Sequence, residues 1–331
     1  MNENSRLIIL GAGGHAKVLI ETLQKMEQRV SGIATPEVLP DNVFEGIPVI
    51  GNDDTILSIP RDQVKLVNGL GSTGILGRRK SLYEKFKTFG YEFFSVIHPS
   101  AVIAANSVLM EGVQIMAGTV IQPGSKIGCN TIINTRASVD HDCKIGNHVH
   151  VSPGVTLSGG VEIDDCTHIG TGANVIQYLK IGRNSLIGAG ALVIRNVLDQ
   201  QMVTGVPAKL VKAIKDWRNT RMGPGTIIRE AIKIIDSEAL RIGLIVENDD
   251  ILLGTVTDGD IRRAILRGVS LDAEVSSIMN SKPVVAREYE SSERILALMK
   301  NKSVYQIPVI ENQGRIIRVE LLENFVYSNL L

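Results

Sequence analysis

The chain of 331 residues is poor in cysteine, in net charge and in long apolar runs. Its three cysteines, Cys129, Cys143 and Cys166, form no CxxC pair, which argues against both a disulfide framework and a zinc site and leaves packing as their expected role. The 35 Lys and Arg residues balance the 35 Asp and Glu residues, so there is no electrostatic reason to expect nucleic acid or an anionic membrane as a partner. The opening MNENSRLIILGAGGH holds only a short apolar run, well below a signal-peptide core. No stretch approaches the roughly 20 apolar residues of a membrane span. A cytoplasmic protein acting on a small polar ligand is the expectation.

What the chain has in quantity is a repeat. Every sixth residue from Ile97 to Val193 is Ile, Leu or Val, without a missed step. Two residues before each of these, from Ala101 to Ala191, stand mostly small or β-branched residues. A period of six keeps no single face on a 3.6-residue helix and is not simple strand alternation. It fits a coil with three flat sides and one inward aliphatic residue per side, three hexads closing each turn of a parallel β-helix. Glycines such as Gly128, Gly146, Gly170, Gly182 and Gly188 are expected at corners with positive φ. His150 and His168, eighteen apart, should stack on successive coils about 5 Å apart.

These hexads, with the exit VTGVPAKLVK (203–212), resemble the hexapeptide-repeat acyltransferases. That resemblance implies a left-handed β-helix, a trimer, and acyl-CoA bound in clefts between subunits. The stretch NTRASVDHDCKIGNHVHVSPGVTLSGGVEI (134–163) is similar to the active-site coils of sugar acetyltransferases of the sialic acid and bacillosamine type. By that resemblance His141 is the general base and Asp142 its acidic helper, Asn134 lies near the sugar amine, His150 lies near the acetyl-CoA thioester, and Gly159 offers a backbone N–H to its carbonyl. A histidine can serve as base near neutral pH when a carboxylate holds its other ring nitrogen. A metal, as held by three histidines in γ-class carbonic anhydrases, is not expected, because His141, His148 and His150 are too dispersed to converge on one ion.

Ahead of the repeat, RLIILGAGGHAKVLIET (6–22) reads as a buried strand, a glycine turn and a helix. Gly11, Gly13 and Ala16 meet a loose GxGxxG/A pattern that can seat a phosphate on a helix N-terminus. The acidic residue that would grip a dinucleotide ribose is not evident in VSGIATPEVL, so a dehydrogenase is not expected. A second strand, VKLVNGLG (64–71), and the helical RRKSLYEKFKTFG complete a Rossmann-like α/β domain over 1–95, followed by the β-helix over 96–213. In the sugar acetyltransferases GAGGHAK binds the nucleotide or sugar phosphate, which implies Gly13, His15 and Lys17 as substrate ligands. Members that use UDP-sugars commonly carry paired aspartates where this chain reads GIATPE (32–37).

The rhythm stops after about 213, and residues 214–225 read as a linker. Beyond it, a helix, the strands RIGLIVE and ILLGTVT, and a helix opening DGDIRRAI resemble a CBS domain, with a second copy over about 277–328; together they make an α+β CBS pair over 226–331. The resemblance implies an adenine nucleotide held by Thr257 and Asp260, while the matching turn of the second copy reads Leu321 and Asn324 and looks degraded. Such pairs precede nucleotidyltransferase domains in nonulosonic acid pathways, but no GGxGxRL loop occurs here, so the resemblance hints at a pathway and not at a second activity. The expected function is an acetyl-CoA-dependent N-acetyltransferase for an amino sugar, nucleotide-activated, in bacterial surface glycan synthesis. O-acetylation of a sialic or legionaminic-type acid is the nearest alternative, and a non-catalytic nucleotide-sensing trimeric scaffold is the alternative from another class. A homotrimer is expected, or a hexamer if the CBS modules also pair in twos.

Overall fold

The computed structural model describes residues 6–37, 39–72, 77–213, 217–238, 240–247, 250–322 and 325. It divides into two compact units, Met1–Ile214 and Lys215–Leu331.

The first unit begins with strands β1 (Arg6–Leu10), β2 (Val30–Ala34), β3 (Val43–Phe44), β4 (Ile47–Gly51) and β5 (Val64–Asn68), in the order β3-β4-β2-β1-β5. All neighbours are parallel except the β3–β4 hairpin. Ile8, Ile9, Leu66 and Val67 are buried, as strands covered on both faces require. Helices α1 (Gly14–Lys25), α2 (Asp53–Leu57) and α3 (Gly77–Thr88) accompany the sheet. Strand order reverses between β1 and β5, so the crevice beyond their carboxyl ends is the topological switch point where α/β sheets bind ligands.

From Val96 the chain winds as a left-handed β-helix with three faces of two-residue strands. Its register repeats every coil, with Ile132 beside His150 and His150 beside His168. Each inward residue therefore stacks on its counterpart, as in Ile115, Ile133, Val151, Ile169 and Ile187, all buried. Most of the residues two places earlier are buried too, and the buried hydroxyls are satisfied by carbonyls of the next coil: Ser125 Oγ donates to Asp140 O at 2.7 Å, Thr131 Oγ1 to Gly146 O at 2.8 Å and Thr167 Oγ1 to Gly182 O at 2.8 Å. A buried hydroxyl without such a partner would be costly, which explains Ser and Thr at these corners.

The glycines take a different role from the one expected. Positive φ recurs every sixth residue at Gly112, Gly118, Gly124, Asn130, Arg136, Asp142 and onward, and not at Gly128, Gly146, Gly170, Gly182 or Gly188. Those five are glycine because the next coil lies too close; a β-carbon on Gly128 would sit 2.5 Å from the Gly146 carbonyl carbon.

The three outer faces differ in chemistry. One carries Lys126, Lys144, Glu162 and Lys180, with Lys144 and Glu162 paired at 2.6 Å. The second carries Gln114, Ile132, His150 and His168 beneath the α/β domain. The third, with Val102, Val120, Ser138, Thr156, Asn174 and Leu192, is uncharged. Arg79 of α3 fastens the α/β domain to the coils, donating to Asn68 O at 3.0 Å, Leu70 O at 2.6 Å and Asn130 O at 3.3 Å. Burial pushes this guanidinium down to about 9, so it stays charged at neutral pH.

The second unit repeats one motif. Arg221–Met222, Ile242–Glu247 and Ile251–Thr257 form one three-stranded sheet, and Ala286–Arg287, Gln306–Ile310 and Ile316–Leu321 the other, each a parallel pair followed by an antiparallel one. Helices α4 (Ile228–Glu238), α5 (Asp258–Leu266) and α6 (Ser292–Lys302) pack on them. The stretch read as a linker is instead part of this unit: Trp217 is buried among Leu240, Ile242 and Leu244, and Arg221 pairs with Leu244. The burial of an indole outweighs the Gly-Pro-Gly punctuation that follows it.

Candidate active site

The corner after Val139 carries the first group of chemical residues. Asp140 accepts the His141 N–H at 2.7 Å, and Asp142 takes up a left-handed φ of 59°. Such a φ turns the Asp142 side chain back toward the preceding residue, and Oδ2 meets His141 Nδ1 at 2.9 Å. This hydrogen bond, with the Asp140 and Asp142 charges, raises the imidazole above its ordinary 6.5. Nδ1 then carries the proton and Nε2 presents its lone pair.

That imidazole lies against Gly159, one coil on. A β-carbon there would stand 2.6 Å from His141 Cε1, so only glycine leaves the ring room. Gly160 N–H donates to His141 O at 2.8 Å, fixing the two coils in register, while the Gly159 N–H finds no acceptor among the described residues. An imidazole, a carboxylate and an open backbone donor thus share one exposed corner.

The second group gathers at the switch-point crevice. Thr135 N–H donates to Asn134 Oδ1 at 2.8 Å, so Asn134 Nδ2 faces His150 Nε2 at 3.1 Å. His150 Nδ1 donates to Ser72 O at 3.2 Å and also meets Ser72 Oγ, which reaches His168 Nδ1 at 3.4 Å. The two imidazoles stack edge to face with centroids 5.0 Å apart, as the eighteen-residue step predicts. His15 Nε2 bonds Gln114 Oε1 at 2.7 Å, and Gln114 Nε2 donates to Asn68 O at 2.8 Å, which fixes the amide and makes His15 the donor. Burial holds His15 and His168 down to about 4, and His150 well below its usual range, so all three are neutral at pH 7.

The glycine turn is more specific than its motif. Gly11 needs glycine for its φ of 101° and its approach to Leu70, but a β-carbon on Gly13 would meet nothing within 4 Å. Gly13 caps α1 with no side-chain partner and opens onto space. Lys17 does not point a free charge into the crevice; it pairs with Glu45 at 2.8 Å and lies over Phe44.

His141, Asp142 and Gly159 are therefore together, and so are Asn134 and His150, while His15 meets the same face at Gln114, two coils earlier. The two groups occupy a corner and a face of the triangular coil, and no hydrogen bond or ring contact joins them among the described residues. Among these residues, likewise, no three His, Cys, Asp or Glu side chains are grouped to hold a metal ion. Ser72, Gln114 and Arg79 were not singled out from sequence. Gln114 had a signal, because it precedes His150 in the column by two coils; Ser72 and Arg79 had none, their partners lying far along the chain.

In the second unit Thr257 caps α5. Asp260 Oδ2 accepts from Thr257 N at 2.9 Å and Oγ1 at 2.6 Å, and Oδ1 from Arg263 at 2.7 Å. Leu321 ends the matching strand of the second motif, while Asn324 lies outside the described residues. Among the described residues no helix is long and apolar enough to cross a membrane.

Three family models match: the PglD N-terminal domain over residues 6–86, the bacterial transferase hexapeptide over 124–159, and the CBS domain over 222–267 and 275–319. GDP-perosamine N-acetyltransferase of Escherichia coli O157:H7 is 30% identical over 192 residues, 55% of this chain and 82% of that protein. The solved PerB of Caulobacter crescentus, in complex with CoA and GDP-perosamine, is 37% identical with a TM-score of 0.58, over 63% of this chain and 98% of that one. The acetyltransferase domain of PglB from Neisseria gonorrhoeae, in complex with acetyl coenzyme A, is 32% identical with a TM-score of 0.59, over 63% and 100%. The chain also matches acyl-[acyl-carrier-protein]–UDP-N-acetylglucosamine O-acyltransferases, for instance that of Sinorhizobium fredii at 32% identity over 35% of this chain, spanning 43% of that enzyme's length.

Proposed function

The chain belongs to the family of hexapeptide-repeat sugar N-acetyltransferases fused here to a CBS pair, and from that premise we propose that it moves an acetyl group from acetyl-CoA to the amine of an amino sugar, nucleotide-activated, for bacterial surface glycans. The observation that carries this reading is the 2.9 Å His141–Asp142 hydrogen bond with the free imidazole edge laid against Gly159.

In this reading the amine attacks the thioester carbonyl while His141 Nε2 removes its proton. Asp142 holds the tautomer and offsets the imidazolium charge. The developing oxyanion accepts the Gly159 N–H. Collapse of the tetrahedral adduct breaks the C–S bond, and the proton on His141 passes to the departing CoA thiolate. Direct transfer in a ternary complex needs no acyl-enzyme.

Asn134, His150 and the His15 edge of the crevice would bind the acceptor and the donor thioester, with Gly13 leaving room for a phosphate at the N-terminus of α1. Because the base and these ligands face different sides of one coil, the complete site joins His141 of one copy to the crevice of a neighbour in a homotrimer. The uncharged third face, beside one that is charged and one that is covered, favours such packing. Mixing the inactive variants His141→Ala and Asn134→Ala, unfolding and refolding them together, should restore part of the thiol release from acetyl-CoA. No restoration, with trimers exchanged by mass, would defeat the shared site; full activity of His141→Ala alone would defeat the mechanism.

One observation favours the O-acetyl alternative. At the end of β2 the chain reads Thr35-Pro36-Glu37, without the paired aspartates of the UDP-sugar users, and Thr35 Oγ1 accepts the Glu37 N–H at 3.2 Å. An acceptor without a nucleotide, such as a sialic or legionaminic-type acid, fits that end of the crevice, and mass spectrometry of the acetylated product separates amide from ester. Thr257 and Asp260 would hold an adenine nucleotide in the CBS pair, with the Asp260–Arg263 pair opening to admit its ribose. Pairing of CBS modules in twos would make the trimer a hexamer.

A further inference from the structure

Two rings enclose the Gly159–Gly160 dipeptide. His141 fills the space a β-carbon on Gly159 would need, and Tyr178 fills that of Gly160, where a β-carbon would lie 2.5 Å from the phenol Cδ1 and 2.7 Å from Cε1. Tyr178 N–H donates to Gly159 O at 3.0 Å, as Gly160 N–H does to His141 O at 2.8 Å. Three successive coils are thus held in register around one pair of glycines.

Tyr178 is an unusual residue for this position. Its φ is 59°, in a column whose other members are Gly124, Asp142 and Gly160. Arg136, His148 and Cys166 take the same conformation at other corners, so what sets this one apart is a large aromatic ring laid over a glycine beside His141. The side chain is also 75% exposed, so it adds little to the core. A left-handed φ with slight apolar burial leaves folding without a reason to prefer tyrosine here.

We propose that Tyr178 walls the acyl-donor channel, its ring lying along the acetyl group and the thioester end of the pantetheine arm of acetyl-CoA beside the Gly159 N–H. This rests on His141 being the base at the same corner. The ligand chemistry follows from the ring: a methyl, a thioester sulfur and adjoining methylenes are apolar, polarisable groups that pack on an aromatic face and edge. The wall also limits the length of the acyl group that fits between phenol and imidazole.

The test compares Tyr178→Asn, Tyr178→Phe and His141→Ala in the full-length protein. Asparagine tolerates positive φ, so Tyr178→Asn should keep or raise the melting temperature while weakening acetyl-CoA about tenfold in Kd and KM, the larger share of the kinetic effect lying in KM. Butyryl-CoA should gain relative to acetyl-CoA. Tyr178→Phe should bind acetyl-CoA like the wild type. His141→Ala should bind acetyl-CoA but not turn over. An unchanged Kd in Tyr178→Asn, with or without a lower melting temperature, would overturn the proposal while His141→Ala remains inactive. Turnover by His141→Ala would instead overturn the base, and with it the reaction on which this wall depends.

Discussion

One added methyl group should separate chemistry from folding in this protein. In Gly159→Ala the new β-carbon would start 2.6 Å from His141 Cε1, where ordinary contact begins near 3.4 Å. Gly159 is not in the left-handed region, so the backbone accepts alanine, and the nearby atoms belong to a side chain on an exposed corner that can swing away. The imidazole must therefore retreat by about 1 Å, enough to lengthen or break its 2.9 Å bond to Asp142. A misplacement of that size costs on the order of 10²-fold in rate. Stability should hold or rise by up to about 1 kcal/mol, because alanine restricts the unfolded chain. Thiol release from acetyl-CoA with a saturating amino-sugar acceptor measures the rate, and thermal unfolding measures the fold. A kcat within about threefold of wild type, in a protein of unchanged melting temperature, would refute the reasoning.

Three further outcomes follow from other parts of the structure. Because the Asp142 hydrogen bond raises His141, and the proposed mechanism needs this imidazole unprotonated, activity should fall as pH drops through that raised value; Asp142→Asn should lower the plateau and move the acid limb to lower pH, and an unmoved limb would show that Asp142 does not set it. Buried His148, held down to about 4, contributes stability that is complete above 6.5 and is lost as pH falls toward 4, roughly 3 kcal/mol at about 1.4 kcal/mol per unit. Urea midpoints should fall over that window, and His148→Gln should flatten the slope; equal slopes would count against it. Replacing Arg79 by methionine removes the donors to Leu70 O and Asn130 O, at about 1–3 kcal/mol for each buried carbonyl left unpaired. A urea midpoint equal to that of the wild type would show that the seam between the α/β domain and the coils has other support.

How far the sequence could be read depended on whether a residue's surroundings recur along the chain. The inward aliphatic residues were legible because each meets its own kind one coil away, so that the period alone implies the contact. The same period disclosed the His150–His168 stack. It misled at the glycines, because two demands recur with an equal period of six: positive φ at positions such as Gly124, Asp142 and Tyr178, and close approach of the next backbone at positions such as Gly128 and Gly146. Spacing cannot tell these apart, since both exclude large side chains by default. The exceptions can. Asp142 and Tyr178 tolerate the left-handed turn at some cost, whereas no side chain fits at Gly128 without moving the backbone of Gly146. Asp142 is visible in the sequence as half of an HD pair, whereas the place of Tyr178 beside the same corner shows only once its backbone and the glycine beneath it are known. The crevice was the least legible part, because Ser72 meets His150 across 78 residues and Arg79 meets Asn130 across 51, between segments of unlike pattern that no local rule connects.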